Sequence, residues 1–342
     1  MRRNFRLISS KLEPHGYWVL GDIMDGGREW GSSRYESEAQ RVKSVFNVRD
    51  GTPIFWAAGN HDIGFGDKVI PEAYDRYRAV FGEPNYAVEV ANHTLIVLDT
   101  VSLSGPAGTR PADAALDFLT DFSEGESSSN PRILGTHVPL YRRDDHDCGK
   151  LRRNPPMKQG RGYQYQNLVV ESLSKHILEK IKPSLVLSGD DHDWCENEHT
   201  FESGTAKEYT VATFSWMQGN VHPGYALLTL LPSHAAPHPT TPTQTFALAT
   251  CPLPPQIPVY IWYAFLALIT LPLLLHWTYR QVWADAPSYI QIPMFSYGNQ
   301  RGEFLRRSAR RRSARLSVAN SRGRGGGGVV ARVCARAPGL WM

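Results

Sequence analysis

Four short apolar runs in this 342-residue chain stop on carboxylate, carboxamide and imidazole side chains. YWVL (17–20) leads into GDIMDGGR, with Asp22 and Asp25. The run ending at Ala58 leads into GNHD, with Asn60, His61 and Asp62. RILGT (132–136) leads into HVPL, with His137, and SLVL (184–187) leads into SGDDHDW, where Asp190, Asp191, His192 and Asp193 are consecutive. Apolar runs of this length bounded by glycine read as strands, and strand ends in a layered α/β sheet converge on one edge. Crowded carboxylates repel and lose hydration beside apolar strands, so the last cluster needs a cation or a proton to balance it. One Gly-Asp turn or one histidine is an ordinary loop feature; four such ends in one chain constrain it to a fold that gathers them.

The rest of residues 17–230 fits that fold class. Further strand candidates are 93–99, 209–214 and 225–230, and Tyr35, Ala39, Val42 and Phe46 recur at helical spacing over 32–46. Residues 167–181 repeat the helical pattern with Leu168, Leu173, Ile177 and Ile181. Strands alternating with helices predict an α/β layered architecture. Charge is divided unevenly: the last 65 residues carry 12 arginines and 2 acids, so the overall +4 hides a mildly acidic body. Such a body argues against a nucleic-acid partner and suits one that collects cations.

Residues 257–277 read IPVYIWYAFLALITLPLLLHW, 21 positions without a formal charge and apolar on every face. A helix of that length crosses a hydrocarbon core of about 30 Å, predicting a transmembrane helix. Residues 232–256, with seven prolines and no charged side chain, read as an extended linker. Residues 278–342, rich in Arg, Ser and Gly, read as a disordered basic tail, placed in the cytosol by the positive-inside rule. That orientation puts residues 1–256 in a lumen.

In their order along the chain these motifs resemble those of the calcineurin-like metallophosphoesterases, over roughly residues 1–231. The resemblance implies a four-layer β-sandwich flanked by helices and a site for two divalent metals. Position by position it implies that Asp22 bridges both metals, that Asn60, His137 and Asp190 complete one, and that His192 belongs to the other. His61 would protonate the leaving oxygen and Asp25 would orient it, with Asp191 and Asp193 behind the ligands. Two metals neutralise charge on an in-line displacement at phosphorus. The chain departs from the family pattern at Asp190, where most members have His, and at Gly26, where they have Arg. An oxygen ligand at 190 favours manganese over zinc.

The strings GDIMDGGREW, GNHDIGFG, HVPLYRR, GYQYQN, SGDDHDWC and PGYALLTL look like the eukaryotic cell-division-control and post-GPI-attachment branch. These are endoplasmic reticulum and Golgi membrane proteins that remove ethanolamine phosphate from a mannose of GPI anchors. The resemblance therefore implies a GPI-anchored protein or glycolipid as substrate. A catalytically inactive, truncated isoform acting as a membrane-bound binding protein and a phosphomonoesterase of the same fold stay open as alternatives.

The family's first motif, an Asp followed two positions later by His or Gln, is expected upstream of residue 17, where the chain reads MRRNFRLISS. Its absence predicts that this sequence is a truncated version of a longer protein and that the second metal site is incomplete. Asn92-His93-Thr94 is a glycosylation sequon, consistent with a lumenal body. Cys148 and Cys195 pair or stay free with equal weight by spacing alone, and His146 reads as a loop residue rather than a zinc ligand.

Overall fold

The computed structural model describes residues 1–125, 129–159, 166–231 and 245–284. The chain opens with helix α1 (Arg2–Leu12), strand β1 (Tyr17–Val19), α2 (Ser32–Val45), β2 (Ile54–Trp56) and the one-turn α3 (Asn60–Ile63). A small ribbon, β3 (Gly64–Phe65) and β4 (Lys68–Val69), precedes α4 (Pro71–Phe81), whose Pro at the first turn sacrifices no helical hydrogen bond. Next come β5 (Tyr86–Val90), β6 (His93–Leu98), α5 (Thr100–Leu103), α6 (Arg110–Glu124), β7 (Arg132–Thr136) and α7 (Glu171–Ile181). The body closes with β8 (Leu185–Ser188), β9 (Cys195–Phe201), β10 (Gly204–Thr210), β11 (Gly224–Leu230) and β12 (Phe246–Pro252), before α8 (Ile257–Ala284).

Six strands form the central sheet in the order β5-β6-β7-β8-β10-β9, with β6, β7, β8 and β10 parallel and the two edges antiparallel. Successive residues of its inner strands face opposite sides. Ile96, Leu98, Leu134 and Val186 pack with Tyr74 and Tyr77 of α4, Leu119 of α6, and Ile177 and Ile181 of α7. Their neighbours Leu95, Ile133, Leu185 and Leu187 meet Trp18, Phe55, Leu228, Leu230, Phe246 and Leu248. The parallel pair β1-β2 and the antiparallel pair β11-β12 thus supply the second sheet layer, and this period-two division makes the sandwich. Trp18 lies so close to β7 that a Cβ at Gly135 would fall 2.1 Å from its ring. Beyond β1, Phe5 fixes α1 through ring contacts to Tyr17 and Phe46 at 4.9 and 5.1 Å.

Several expected boundaries move. The linker expected over 232–256 contains β12, every residue of which pairs with β11; its first part, 232–244, lies outside the described residues. FALAT (246–250) alternates, and Phe246 and Leu248 join the sandwich interior, which outweighs the flanking prolines. The helix expected over 167–181 starts at Glu171, because the amide of Val169 instead donates to the carbonyl of Pro139 at 2.8 Å. The strand expected at 209–214 begins earlier, at Gly204, and stops at Thr210, leaving 211–214 outside it. The apolar helix expected to stop at Trp277 runs on to Ala284, and 257–283 remains long and apolar enough to cross a membrane. The remainder of the tail, 285–342, lies outside the described residues.

Candidate metal centre

The loops after β1, β2, β7 and β8 meet at the carboxyl end of the strands. His137, fully buried after β7, is the hub. Its Nδ1 lies 2.7 Å from the carbonyl oxygen of Leu20, which fixes the Nδ1–H tautomer and leaves Nε2 facing the site. Three oxygens surround Nε2: Asn60 Oδ1 at 3.0 Å, Asp22 Oδ1 at 3.3 Å and Asp190 Oδ1 at 3.4 Å. A nitrogen lone pair surrounded by three oxygens is repulsive unless a positive charge sits among them. Without a metal that charge is a proton: burial pushes the imidazole down, but Asp22 and Asp190 overcome it and hold the ring at about 10.

Asp22, His137 and Asp190 offer ligand atoms all within 4.8 Å of one another, and the amide oxygen of Asn60 adds a fourth. Two carboxylates, an amide oxygen and one imidazole are donors that suit a hard or borderline divalent cation, and the arrangement fits one. The backbone is bent to deliver them. Asp22, Asp190 and His192 have φ of 50°, 62° and 67°, a region that costs an ordinary residue of order 1 kcal/mol or more. Gly21 and Gly59 admit the close approach, since a Cβ on Gly21 would lie 2.2 Å from His137 Nδ1 and one on Gly59 2.2 Å from the amide nitrogen of Asp22.

His61 sits beside this cluster. Its amide donates to Asp22 Oδ1 at 3.0 Å, and its ring Nδ1 lies 2.8 Å from the carbonyl oxygen and 3.3 Å from the carboxylate of Asp25. Asp25 therefore fixes the His61 ring through main chain and side chain together, and Nε2 is left free of those contacts. His192 shares the loop of Asp190, but its ring is not among the three mutually close ligands. The neighbouring carboxylates are loop braces: Asp191 forms a bidentate pair with Arg152 at 2.6 and 3.2 Å, and Asp193 accepts the amides of Arg153, Asn154 and Trp194.

The disulfide question is decided by the fold. Cys148 and Cys195 are joined, with Cα atoms 4.3 Å apart, which ties the 144–159 loop to the start of β9. His146 lies beside them as a loop residue whose Nε2 meets the carbonyl oxygen of Glu196 at 2.7 Å.

Three buried acids have roles that the sequence does not assign. Asp62 accepts the amides of Ile23, Met24 and Gly59 at 2.9–3.1 Å, clamping the β1 and β2 loops together; burial, with Asp22 adding to it, raises its carboxyl to about 7. Asp99 caps α5 through the amide of Ser102 and is raised by burial to about 6. Glu208 on β10 is fully buried and accepts from the Leu140 amide, the Ser188 hydroxyl, His199 and Arg142. Burial alone would raise Glu208, yet Arg142 and His199 bring it down to about 2. Arg142 also reaches Cys195 Sγ at 2.9 Å. The clue for Glu208 was one acid beside Lys207 in KEYT, too weak to find without the fold.

A profile of the calcineurin-like phosphoesterases matches residues 1–194. Among curated proteins, Cell division control protein 1 of Saccharomyces cerevisiae is 36% identical over 236 residues, covering 67% of this chain and 48% of that protein. The Metallophosphoesterase 1 homolog of Caenorhabditis elegans is 28% identical, covering 65% of this chain and 60% of the relative. Metallophosphoesterase 1 of Ailuropoda melanoleuca is 27% identical over 81% of this chain and 71% of its own length. The chain thus spans about half the length of the yeast relative.

Proposed function

The chain belongs to the calcineurin-like phosphoesterase family, and on that premise we propose that it acts as a divalent-metal-dependent phosphodiesterase of the secretory pathway that removes ethanolamine phosphate from a mannose of GPI anchors. The observation that carries the reading is the ring of three oxygens around His137 Nε2. The likeness to Metallophosphoesterase 1 proteins and the apolar α8 support a phosphoester substrate held at a membrane.

Asp22, Asn60, His137 and Asp190 would hold one cation, and Asp22 with His192 would contribute to a second; manganese suits this oxygen-rich set. A divalent cation held by these residues would supply Lewis-acid polarisation of the phosphoryl oxygens and offset charge there. His61 acts as general acid. Doubly protonated, its ring keeps Nδ1–H on Asp25 and delivers the Nε2 proton to the departing mannose oxygen. Water supplies the oxygen that replaces the P–O(mannose) bond, leaving a free mannose hydroxyl and ethanolamine phosphate. Residues 1–231, extended by β12, form the catalytic unit in the lumen of the endoplasmic reticulum or Golgi, with the basic tail cytosolic.

Hydrolysis of an aryl phosphodiester and an aryl phosphomonoester by the full chain in manganese, with loss of the headgroup from a GPI glycolipid followed by mass spectrometry, tests this. The diester and the glycolipid should turn over, and His61→Gln should lower kcat by about 10²–10⁴-fold. Metal binding without hydrolysis of either aryl ester would remove the enzyme reading; turnover of the monoester alone would move the substrate to that class.

A further inference from the structure

Between β10 and β11 the chain makes a loop, Val211–Pro223, that meets both the candidate metal loop and the start of the apolar helix. On the metal side, the Thr213 amide donates to the His192 carbonyl oxygen at 3.1 Å, and the buried Asn220 side chain donates to the same oxygen at 2.7 Å and reaches Asp193 Oδ1 at 3.5 Å. On the other side, the Leu253 amide donates to the Pro223 carbonyl oxygen at 2.7 Å, and the Gln256 side chain donates to the Trp216 carbonyl oxygen at 2.8 Å. Gln256 immediately precedes Ile257, the first residue of the candidate span. Its own carbonyl accepts the amides of Val259 and Tyr260, so it is part of the first helical turn.

A helix that enters a bilayer at Ile257 holds whatever is bonded to Gln256 at the level of the lipid headgroups. The residue after Trp216 is Met217, 89% exposed, and Val221 beyond it is 40% exposed. A single exposed Met or Val on a soluble surface means little. Here both lie on a loop pinned through Trp216 and Pro223 to the residues that enter the apolar helix, whose own first turns expose Ile257, Tyr260 and Ile261. We infer that the Trp216–Val221 loop inserts its apolar tip, Met217 and Val221, into the lipid surface, and that through Thr213 and Asn220 it holds the His192–Asp193 loop over the headgroup layer. The consequence for the proposed function, on which this second half rests, is a site that selects phosphoesters carried on membrane-embedded molecules.

The test uses the full chain in phosphatidylcholine liposomes, with Cys251→Ser and Cys334→Ser, and one environment-sensitive fluorophore on Met217→Cys. Leu116→Cys is the control: it is apolar and exposed, but on α6, across the central sheet. Nitroxide attached high on the lipid acyl chain should quench the label at 217 and leave 116 bright, while aqueous iodide should do the reverse. Equal iodide quenching at both positions overturns the inference, and so does a label at 217 shielded from both quenchers, which would mean a protein cover. This readout needs no catalysis, so it stands or falls separately from the activity. Met217→Glu should then raise KM about tenfold for a liposome-borne substrate while leaving kcat on a soluble aryl ester unchanged; equal effects on both substrates would refute the selectivity.

Discussion

Glu208→Gln is the most informative single change in this body. The side chains of Glu208 and Arg142 are 0% and 1% exposed, and they meet at 2.9 Å. Glutamine keeps the shape but leaves the guanidinium buried without its countercharge, and breaking a buried pair this way costs about 3–5 kcal/mol. Proton linkage gives a similar size: a carboxyl lowered from 4.5 to about 2 corresponds to about 3 kcal/mol. The sign follows from a folded-state value below the unfolded one. The stabilisation is complete above pH 4.5, and declines by about 1.4 kcal/mol per pH unit as the pH falls from there toward 2. Urea unfolding of both proteins in detergent, followed by tryptophan fluorescence at pH 6.5 and again at 4, should therefore give a difference of about 3 kcal/mol that narrows at the lower pH. A difference below about 1 kcal/mol, or one that does not change with pH, would refute the claim that Glu208 is ionised and held by Arg142. A second readout follows from position. Ser188, which donates to Glu208 at 2.6 Å, stands two residues before Asp190, so the variant should also bind manganese more weakly.

Three further outcomes follow from the geometry. His137→Ala should reduce manganese affinity by at least 100-fold by titration calorimetry, because it removes the nitrogen at the centre of the ligand set. Gly21→Ala should destabilise by more than about 2 kcal/mol in the same urea assay, since its Cβ meets His137 Nδ1 at 2.2 Å and φ is 100°; full stability would show that the β1 loop yields freely. Cys148→Ser with Cys195→Ser opens a 47-residue separation, which by loop closure costs about 4 kcal/mol and should appear as a lower denaturation midpoint insensitive to reductant.

The strands that were readable and those that were not divide by how many of their residues face solvent. β6, β7 and β8 are interior strands buried on both faces, so they appear as unbroken apolar runs. β5, β9 and β12 were missed, and each alternates exposed with half-buried or buried residues. An edge strand turns alternate residues to solvent and carries charge against edge pairing, as the CENEHTF of β9 does, so its hydropathy falls to that of a loop. The same division holds in the site. Asp22, Asn60, His137 and Asp190 were visible because each closes an apolar run with a residue out of character for a strand end. Glu208 carries no such local sign, and Asp62 and Asp99, though they stand at strand ends, take their roles from which amides the fold places around them.

That distinction explains how a strained site survives. Asp22, Asp190 and His192 hold positive φ against their own preference. The restraint comes from behind: Asp62 ties the Asp22 loop to β2, Glu208 fixes Ser188 beneath Asp190, and Asn220 with Thr213 fixes the carbonyl of His192. Each brace is buried or part-buried and hydrogen-bonded, so its net contribution of about 1 kcal/mol or more per bond, rising for the charged ones, matches the strain it opposes. The ligands come within 4.8 Å of one another on loops whose buried acids and amides are already satisfied.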